Sequence, residues 1–259
     1  MRAALTLSAR ADGAVTRLAR LREGGGYRVK FPATTDGLEA VLGNVGGGVA
    51  GGDAVTLDVE AGQGARLIVT SQAAEKVYRS SGSPAALRVA AKVGEGGFLA
   101  LAPQETILFD GARLQRDITL DAAPGARALV ADMTVFGRIA AGERIEGGAI
   151  RDRWRLTRAG ALIHAEDFRI DAAPALTLDR PACGDGARAA LTAVLIAEDA
   201  EARLEAAREA MAREGVLSGA SAWKGKLVAR AISRDPAALR AAYAALVASL
   251  TDAPLSRCW

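Results

Sequence analysis

The chain contains very few of the side chains that usually bind transition metals or carry nucleophilic catalysis. Among its 259 residues there are two cysteines, Cys183 and Cys258, and one histidine, His164. Two cysteines exclude a disulfide framework and a cysteine-rich zinc site, and a single histidine counts against Ser-His-Asp and Cys-His mechanisms. The G-x-S-x-G elbow of hydrolases and the G-x-x-x-x-G-K-[ST] phosphate loop are missing as well. These absences favour a binding protein over an enzyme.

Long runs of one charge and long apolar runs are also missing. The 33 basic and 30 acidic residues give a net charge of +3, and no run of five like charges forms the footprint of a nucleic-acid or membrane-surface site. No apolar stretch approaches the ~18 residues of a transmembrane helix, and residues 1–12 lack the apolar core of a signal peptide. We expect a soluble cytoplasmic protein with no nucleic-acid partner and no membrane partner.

Short alternating strands separated by glycine turns dominate residues 1–180. In each of three units an alternating segment is followed by a small turn that contains glycine and then by a second alternating segment, and the turns are about 30 residues apart. Trp154 to Ala165 predicts one more hairpin. This repetition predicts stacked layers, each burying its apolar face on the next. The three units are residues 54–70, 86–101 and 115–131.

The last third of the chain is richer in alanine and in helix-forming residues. Apolar side chains at steps of three and four predict a helix from Glu198 to Glu214. Asp235 and Pro236 are the N-cap and first residue of a second predicted helix. A strand is predicted between the two helices, at residues 227–232.

These patterns together predict a mainly β fold. It is a superhelical, β-helix-like stack of short strands and hairpins, with two α-helices in the C-terminal lobe. We expect a β-rich body at residues 1–180 and an α/β C-terminal lobe at residues 181–259, packed on the body as one structural unit.

Two motifs indicate small-molecule chemistry, and each is incomplete. Gly46 to Gly51 matches the G-x-G-x-x-G dinucleotide fingerprint, but the segment that follows alternates like a strand, whereas the fingerprint needs a helix. His164 and Glu166 imitate half of the zinc deaminase signature, in which a second thiolate is missing. An enzyme that uses the Gly46–Gly52 loop or the His164/Glu166 pair is the alternative function. A glycine turn and a structural histidine are the simpler interpretations.

Several segments of the chain have distinctive sequences in a fixed order. Three of them are residues 47–53 (GGVAGGD), 70–80 (TSQAAEKVYRS) and 103–112 (PQETILFDGA), and shorter stretches at 135–138 (VFGR) and 221–227 (SAWKGKL) follow. These segments resemble the urease accessory protein UreD family, also called UreH. The resemblance extends from about residue 44 to residue 232.

The resemblance implies a urease maturation factor that is not an enzyme, with a superhelical, mostly β fold and helices near the C-terminus. UreD-like proteins bind UreF, which recruits the GTPase UreG, and this assembly docks on apo-urease. The resemblance further implies that nickel passes through the UreD-like subunit to the urease active site, and it allows a homodimer within the complex. We therefore expect no tightly bound cofactor, only transient nickel.

The resemblance implies that four acidic residues lie along the path that nickel takes through the protein. Asp53, Asp132 and Glu166 occupy the associated positions, and Glu75 stands where other members can carry serine. Carboxylates and water bind a divalent transition metal weakly enough for release, whereas soft and imidazole ligands retain it. Alternatives stay open for three of them: Asp53 caps the glycine turn through backbone amides, and Asp132 and Glu166 are solvent-facing charges on strands.

The C-terminal end supplies a candidate for partner binding. Trp259 is an aromatic residue with apolar neighbours such as Leu255, and exposed aromatic residues often anchor protein interfaces. We expect these two residues to contact a UreF-like partner.

The glycine loop leads to a backbone prediction. Gly51 and Gly52 are expected to be required for a positive φ angle and for close backbone approach, because a side chain penalises both.

Overall fold

The computed structural model describes residues 1–34 and 37–253. Those ranges form seventeen strands and three α-helices. The strands are β1 (Arg2–Asp12), β2 (Val15–Arg22), β3 (Tyr27–Lys30), β4 (Leu38–Asn44), β5 (Ala54–Ala61), β6 (Arg66–Ser71), β7 (Glu75–Val77), β8 (Ala85–Val93), β9 (Phe98–Leu101), β10 (Thr106–Leu108), β11 (Arg113–Ala122), β12 (Arg127–Phe136), β13 (Ala149–Arg158), β14 (Ala161–Ile170), β15 (Ala189–Ile196), β16 (Val216–Trp223) and β17 (Lys226–Ser233). The helices are α1 (Pro174–Asp179), α2 (Leu204–Met211) and α3 (Pro236–Thr251). None of these described helices combines the length and apolar character needed to cross a membrane.

Two stacked sheets contain the strands. The seven-stranded sheet has the order β14-β13-β11-β8-β5-β1-β2, and the ten-stranded sheet has the order β16-β17-β15-β12-β9-β6-β4-β3, with β10 joining β12 to β7. Strands in the middle of each sheet are parallel, whereas the outer pairs are antiparallel. Because side chains alternate between the two faces of a strand, one face of each sheet is buried against the other sheet.

Each of the three repeated units contributes one strand to each sheet. Leu57 is in register with Val89, and Val89 is in register with Ile118, so equivalent residues of successive units stack. This confirms the predicted superhelical stack. The two strands of a unit, however, lie in opposite sheets and form no hairpin with each other, because the glycine turn is the corner of the coil. The corner glycines with positive φ are Gly64, Gly96 and Gly125.

The fourth predicted unit is a true hairpin. Strands β13 and β14 pair antiparallel across a tight turn at Ala159 and Gly160, and both turn residues have positive φ angles, of 50° and 77°. A turn with two left-handed residues matches the twist of the strands that it joins. The hairpin ends the run of parallel strands at one side of the seven-stranded sheet.

The C-terminal region continues the ten-stranded sheet and covers its outer face. Strand β15 pairs antiparallel with β12, so sheet pairing crosses residue 181, and three strands form there where one was predicted.

Helix α3 follows the prediction closely: the Asp235 side chain accepts a hydrogen bond of 2.8 Å from the Ala237 amide. Helix α2 is shorter than predicted and ends at Met211. The division of the chain at residue 181 stays a prediction. The apolar stripe of α3 is buried, at Leu239, Tyr243, Leu246 and Leu250.

Candidate functional site

A cavity of about 420 Å³ lies between the two sheets. Its walls are mostly apolar side chains that point inward from the parallel strands, such as Leu57, Val69 and Ile118. The acidic residues of the lining occur in two places, at Glu75 and at Asp132, which pairs with Arg116. Two of the four acidic residues expected from the sequence therefore share one interior space.

Glu75 lies in β7 at the edge of this cavity, held by two neutral donors. The Tyr27 hydroxyl donates to one carboxylate oxygen at 2.6 Å, and the Asn44 amide donates to the other at 2.9 Å. Burial raises the pKa of Glu75, although both hydrogen bonds act in the opposite direction. Burial and the neighbouring Glu75 raise the pKa of Tyr27. The group combines a carboxylate with a phenol hydroxyl, and oxygen atoms of this kind are ligands that divalent cations bind. The Asn44 amide oxygen faces away from Glu75 and accepts a hydrogen bond from the Gly46 amide.

Asp132 lies in β12 and points into the interior, where it meets two residues from the opposite sheet. The Arg116 guanidinium donates to both oxygens of Asp132, with one N–O distance of 2.6 Å. It also donates to both oxygens of Asp152, at 2.6 and 3.0 Å. All three side chains are buried. The solvent-facing alternative for Asp132 is therefore wrong.

Burial and the negative charge of Asp152 raise the pKa of Asp132, although Arg116 acts in the opposite direction. Burial acts to lower the pKa of Arg116, but the two carboxylates outweigh it and the pKa is raised. One guanidinium therefore faces two carboxylates, so the buried trio carries a net charge of −1 when both carboxylates are ionised.

The sequence analysis missed Arg116 and Asp152, although a signal was present. Strand β11 alternates Leu114, Arg116 and Ile118 on its inward face, and Asp152 lies between Ile150 and Trp154 on the inward face of β13. A charged residue within an apolar row predicts a buried ion pair or a functional site.

Glu166 lies on β14, outside the residues that line the cavity. Its carboxylate accepts a hydrogen bond from Arg230 of β17, so it joins the two sheets. His164 lies on the same face and is buried, with its Nε2 atom 3.8 Å from Glu166. The neighbouring His164 and Arg230 lower the pKa of Glu166 despite partial burial. The solvent-facing alternative is therefore wrong for Glu166 as well.

Asp53 caps the glycine loop, as the alternative interpretation predicted. One carboxylate oxygen accepts a hydrogen bond of 2.8 Å from the Ala50 amide, and the other contacts the Met1 ammonium group. Burial acts to raise the pKa of Asp53, but these two contacts outweigh it and lower the pKa. Asp53 also raises the pKa of Tyr27 through its charge, so it lies within electrostatic reach of the Glu75 group.

The glycine loop itself leads into strand β5 and not into a helix. The arrangement that a dinucleotide fingerprint requires is therefore not formed at Gly46–Gly52. Gly52 has a positive φ of 83°, as predicted, but Gly51 does not adopt the left-handed region, so that part of the prediction is wrong. The close approach at Gly51 is confirmed, because a Cβ atom there would lie 2.7 Å from the Ser83 carbonyl oxygen.

Trp259 and Leu255, the candidates for partner binding, lie outside the described residues. Within the described ranges, no three histidine, cysteine or acidic side chains form a group that could hold a metal ion.

The fold and its interior define a class of β-solenoid protein with a partly polar cavity between two sheets. Comparison with known proteins gives the family. The family model described as UreD urease accessory protein matches residues 1–259, so the chain belongs to the UreD family of urease accessory proteins and its role is in urease maturation.

Individual relatives agree along nearly the whole chain. Urease accessory protein UreD 3 of Bradyrhizobium sp. (strain BTAi1) is 43% identical over 259 residues, covering 100% of this chain and 93% of the relative. The Rhodopseudomonas palustris (strain BisA53) UreD is 45% identical, covering 96% and 87%. The Mesorhizobium japonicum UreD is 46% identical, covering 97% and 90%.

Proposed function

We propose that this chain is a non-catalytic maturation factor that assists nickel delivery to apo-urease through its interior. In this proposal it acts in a complex with UreF, with UreG recruited through UreF, and with the apo-urease subunits. The observation that carries the proposal is the placement of Glu75 and Asp132 in one cavity between the sheets. Burying a carboxylate costs free energy that an apolar side chain would not cost, so two carboxylates in one cavity favour a function beyond stability.

The chemistry of these groups suits a cation that must move on. A Ni²⁺ ion entering the cavity exchanges some of its water ligands for the Glu75 carboxylate and the Tyr27 hydroxyl oxygen beside it. Such oxygen ligands hold a first-row divalent ion less firmly than thiolates and imidazoles do. Asp132 offers a second carboxylate in the same space. The proposal therefore treats nickel as transient cargo and assigns the chain no resident cofactor.

Asp53 and Glu166 have different places in this proposal. Asp53 lies on the glycine loop outside the cavity lining, where the Met1 ammonium offsets part of its charge, so its attraction for a dication near the Glu75 group is secondary. Glu166 is paired with Arg230 between the two sheets, where it serves mainly to join β14 to β17. We assign the passage first to Glu75 and Asp132 and give Asp53 a supporting role.

Neutral replacements test the passage. Glu75→Gln and Asp132→Asn keep side-chain volume and remove the charge that attracts a dication. We expect each variant to assemble with the partner proteins but to lower urease activation at limiting nickel by about tenfold, which corresponds to ~1.4 kcal/mol. Activation is measured as urease activity and nickel content of the matured enzyme. Glu205→Gln, at an exposed position of α2, is the matched control and should leave activation unchanged.

The double variant decides the proposal. If Glu75→Gln/Asp132→Asn assembled normally and supported full urease activation at limiting nickel, the two acids would be structural and nickel delivery through this cavity would be wrong.

A further inference from the structure

Arg116 occupies an unusual position for a residue in a cation passage, because it brings a fixed positive charge into the cavity. Its side chain points inward from β11 and lines the cavity together with Asp132. It donates to Asp132, Asp152 and the Thr106 hydroxyl, the last at 3.2 Å. Every nitrogen of the guanidinium is therefore engaged, and four carboxylate oxygens are occupied.

The two carboxylates are held in place by other residues as well. The Trp154 indole donates to Asp152 at 2.9 Å, and the Thr134 hydroxyl donates to Asp132 at 3.3 Å. These donors belong to the same strands as the carboxylates that they contact, β13 and β12. Both carboxylates would therefore keep their orientation toward the space that the guanidinium fills.

Charge determines what else could fill that space. With Arg116 present the trio has one cation and two carboxylates, a net charge of −1. A divalent cation in the same place would neutralise both carboxylates and bind the same oxygen lone pairs. Arg116 and a dication therefore compete for the same carboxylate oxygens. Because Arg116 belongs to the chain, it is present at the two carboxylates at any metal concentration.

We infer that Arg116 keeps the affinity of the cavity for divalent cations low by occupying the Asp132 and Asp152 oxygens that a dication would otherwise bind. The inference rests on the proposed function, since it names the residue that makes the stay of nickel at Asp132 brief. Arg116 acts here as an affinity-limiting residue, and Asp152, behind it, is exposed to the cation only when the guanidinium is absent.

Nickel binding to the purified full-length chain tests this inference. We expect Arg116→Gln to raise the Ni²⁺ affinity, measured by equilibrium dialysis or calorimetry with Ni²⁺ alone, by at least tenfold. Arg116→Gln/Asp152→Asn restores the net charge of −1 and should return the affinity to within about threefold of the original chain. Arg153→Gln, which removes an arginine–aspartate pair at Asp117 on the outer face of the same sheet, should change nothing.

The outcomes separate cleanly. A folded Arg116→Gln variant with unchanged Ni²⁺ affinity would overturn the inference. If that variant did not fold, Arg116→Lys would keep the charge but lose the planar fork that reaches both carboxylates, and we then expect at least a threefold rise; no rise would overturn the inference equally.

The assay contains no urease, so its result is independent of the nickel-delivery proposal. An unchanged Ni²⁺ affinity of Arg116→Gln would show that Arg116 does not limit binding, and it would not affect the nickel-delivery proposal. Full urease activation by the Glu75/Asp132 double variant would contradict nickel delivery through the cavity, and the measured Ni²⁺ affinities would remain valid.

Discussion

Gly51 shows how a single residue depends on contacts far from its sequence neighbours. Its Cα lies against the segment after β7, so that an added Cβ would clash with Ser80 Oγ and would lie 2.7 Å from the Ser83 carbonyl oxygen. Ser80 Oγ can rotate away, but the Ser83 carbonyl belongs to the backbone and moves only with its loop. The space available at Gly51, and not its φ angle, therefore decides which residue fits.

The smallest substitution tests this crowding. Gly51→Ala should destabilise the protein by about 2 kcal/mol or more, since overpacking against backbone forces the loop to shift. Urea unfolding at fixed protein concentration measures the change. Gly82→Ala is the matched control in the neighbouring loop, because nothing lies within 4 Å of its added Cβ and its φ is ordinary. Equal stability of the two variants would contradict the crowding argument.

At the scale of elements, helix α3 connects local sequence signals to the packing of the outer layer. Its first turn is capped by Asp235, and Tyr243 donates to the backbone carbonyls of Pro103 and Ala131. The helix thus contacts the middle of β12, at the residue before Asp132, and the segment that follows β9. Its position depends on the cap at one end and on the buried Tyr243 in the middle.

Removing the cap should weaken the helix by a predictable amount. Asp235→Ala loses the side-chain acceptor for the Ala237 amide and should lower the free energy of unfolding by about 1 kcal/mol. Asp235→Asn keeps an acceptor oxygen and should lie within a few tenths of a kcal/mol of the original chain. Thermal unfolding followed by circular dichroism compares the three proteins. An alanine variant as stable as the asparagine variant would show that the cap contributes nothing.

At the scale of the whole molecule, one carboxylate joins distant parts of the chain. Asp252, just after α3, pairs with Arg127 of β12 and with Arg203 in the 3₁₀ turn before α2. The Arg203 hydrogen bond, opposed by partial burial and assisted by Arg127, lowers the pKa of Asp252 from 3.8 to about 2. The sheet and both C-terminal helices therefore meet at this residue.

The pH dependence of stability follows from the direction of that shift. Because the folded pKa of Asp252 is depressed, its contribution is present above pH ~4 and is lost as the pH falls toward 2. Asp252→Asn should lower stability at neutral pH by less than ~1 kcal/mol, since the side chain is half exposed. It should also make the acid side of the stability curve shallower. Urea titrations between pH 2 and pH 6 measure both effects, with exposed Glu209→Gln as a control. Parallel curves would contradict the assignment.

Much of the architecture can be predicted from the amino-acid sequence alone. Alternation and glycine spacing predicted the stacked β-layers, and the Asp235-Pro236 pair predicted where α3 begins, because these signals depend on neighbours within one or two turns of chain. The assignment of the two strands of each unit to opposite sheets was not readable, since a glycine turn can close a hairpin or form a solenoid corner with the same residues.

For the candidate site, too, some features follow from the sequence and others only from the tertiary structure. The sequence alone determined the family, the strand after the glycine loop and, through the family resemblance, four candidate acids. The tertiary structure separated Glu75 and Asp132, which share the cavity, from Asp53 and Glu166. Only the tertiary structure brought Arg116 and Asp152 to Asp132, because that contact requires β11 and β13 to be neighbours in one sheet and β12 to face them from the other. The distances between these three side chains depend on how successive turns of the coil stack, and a local sequence pattern does not contain that information. A charged side chain in an apolar row indicates that it needs a partner, but long-range packing decides which residue that partner is.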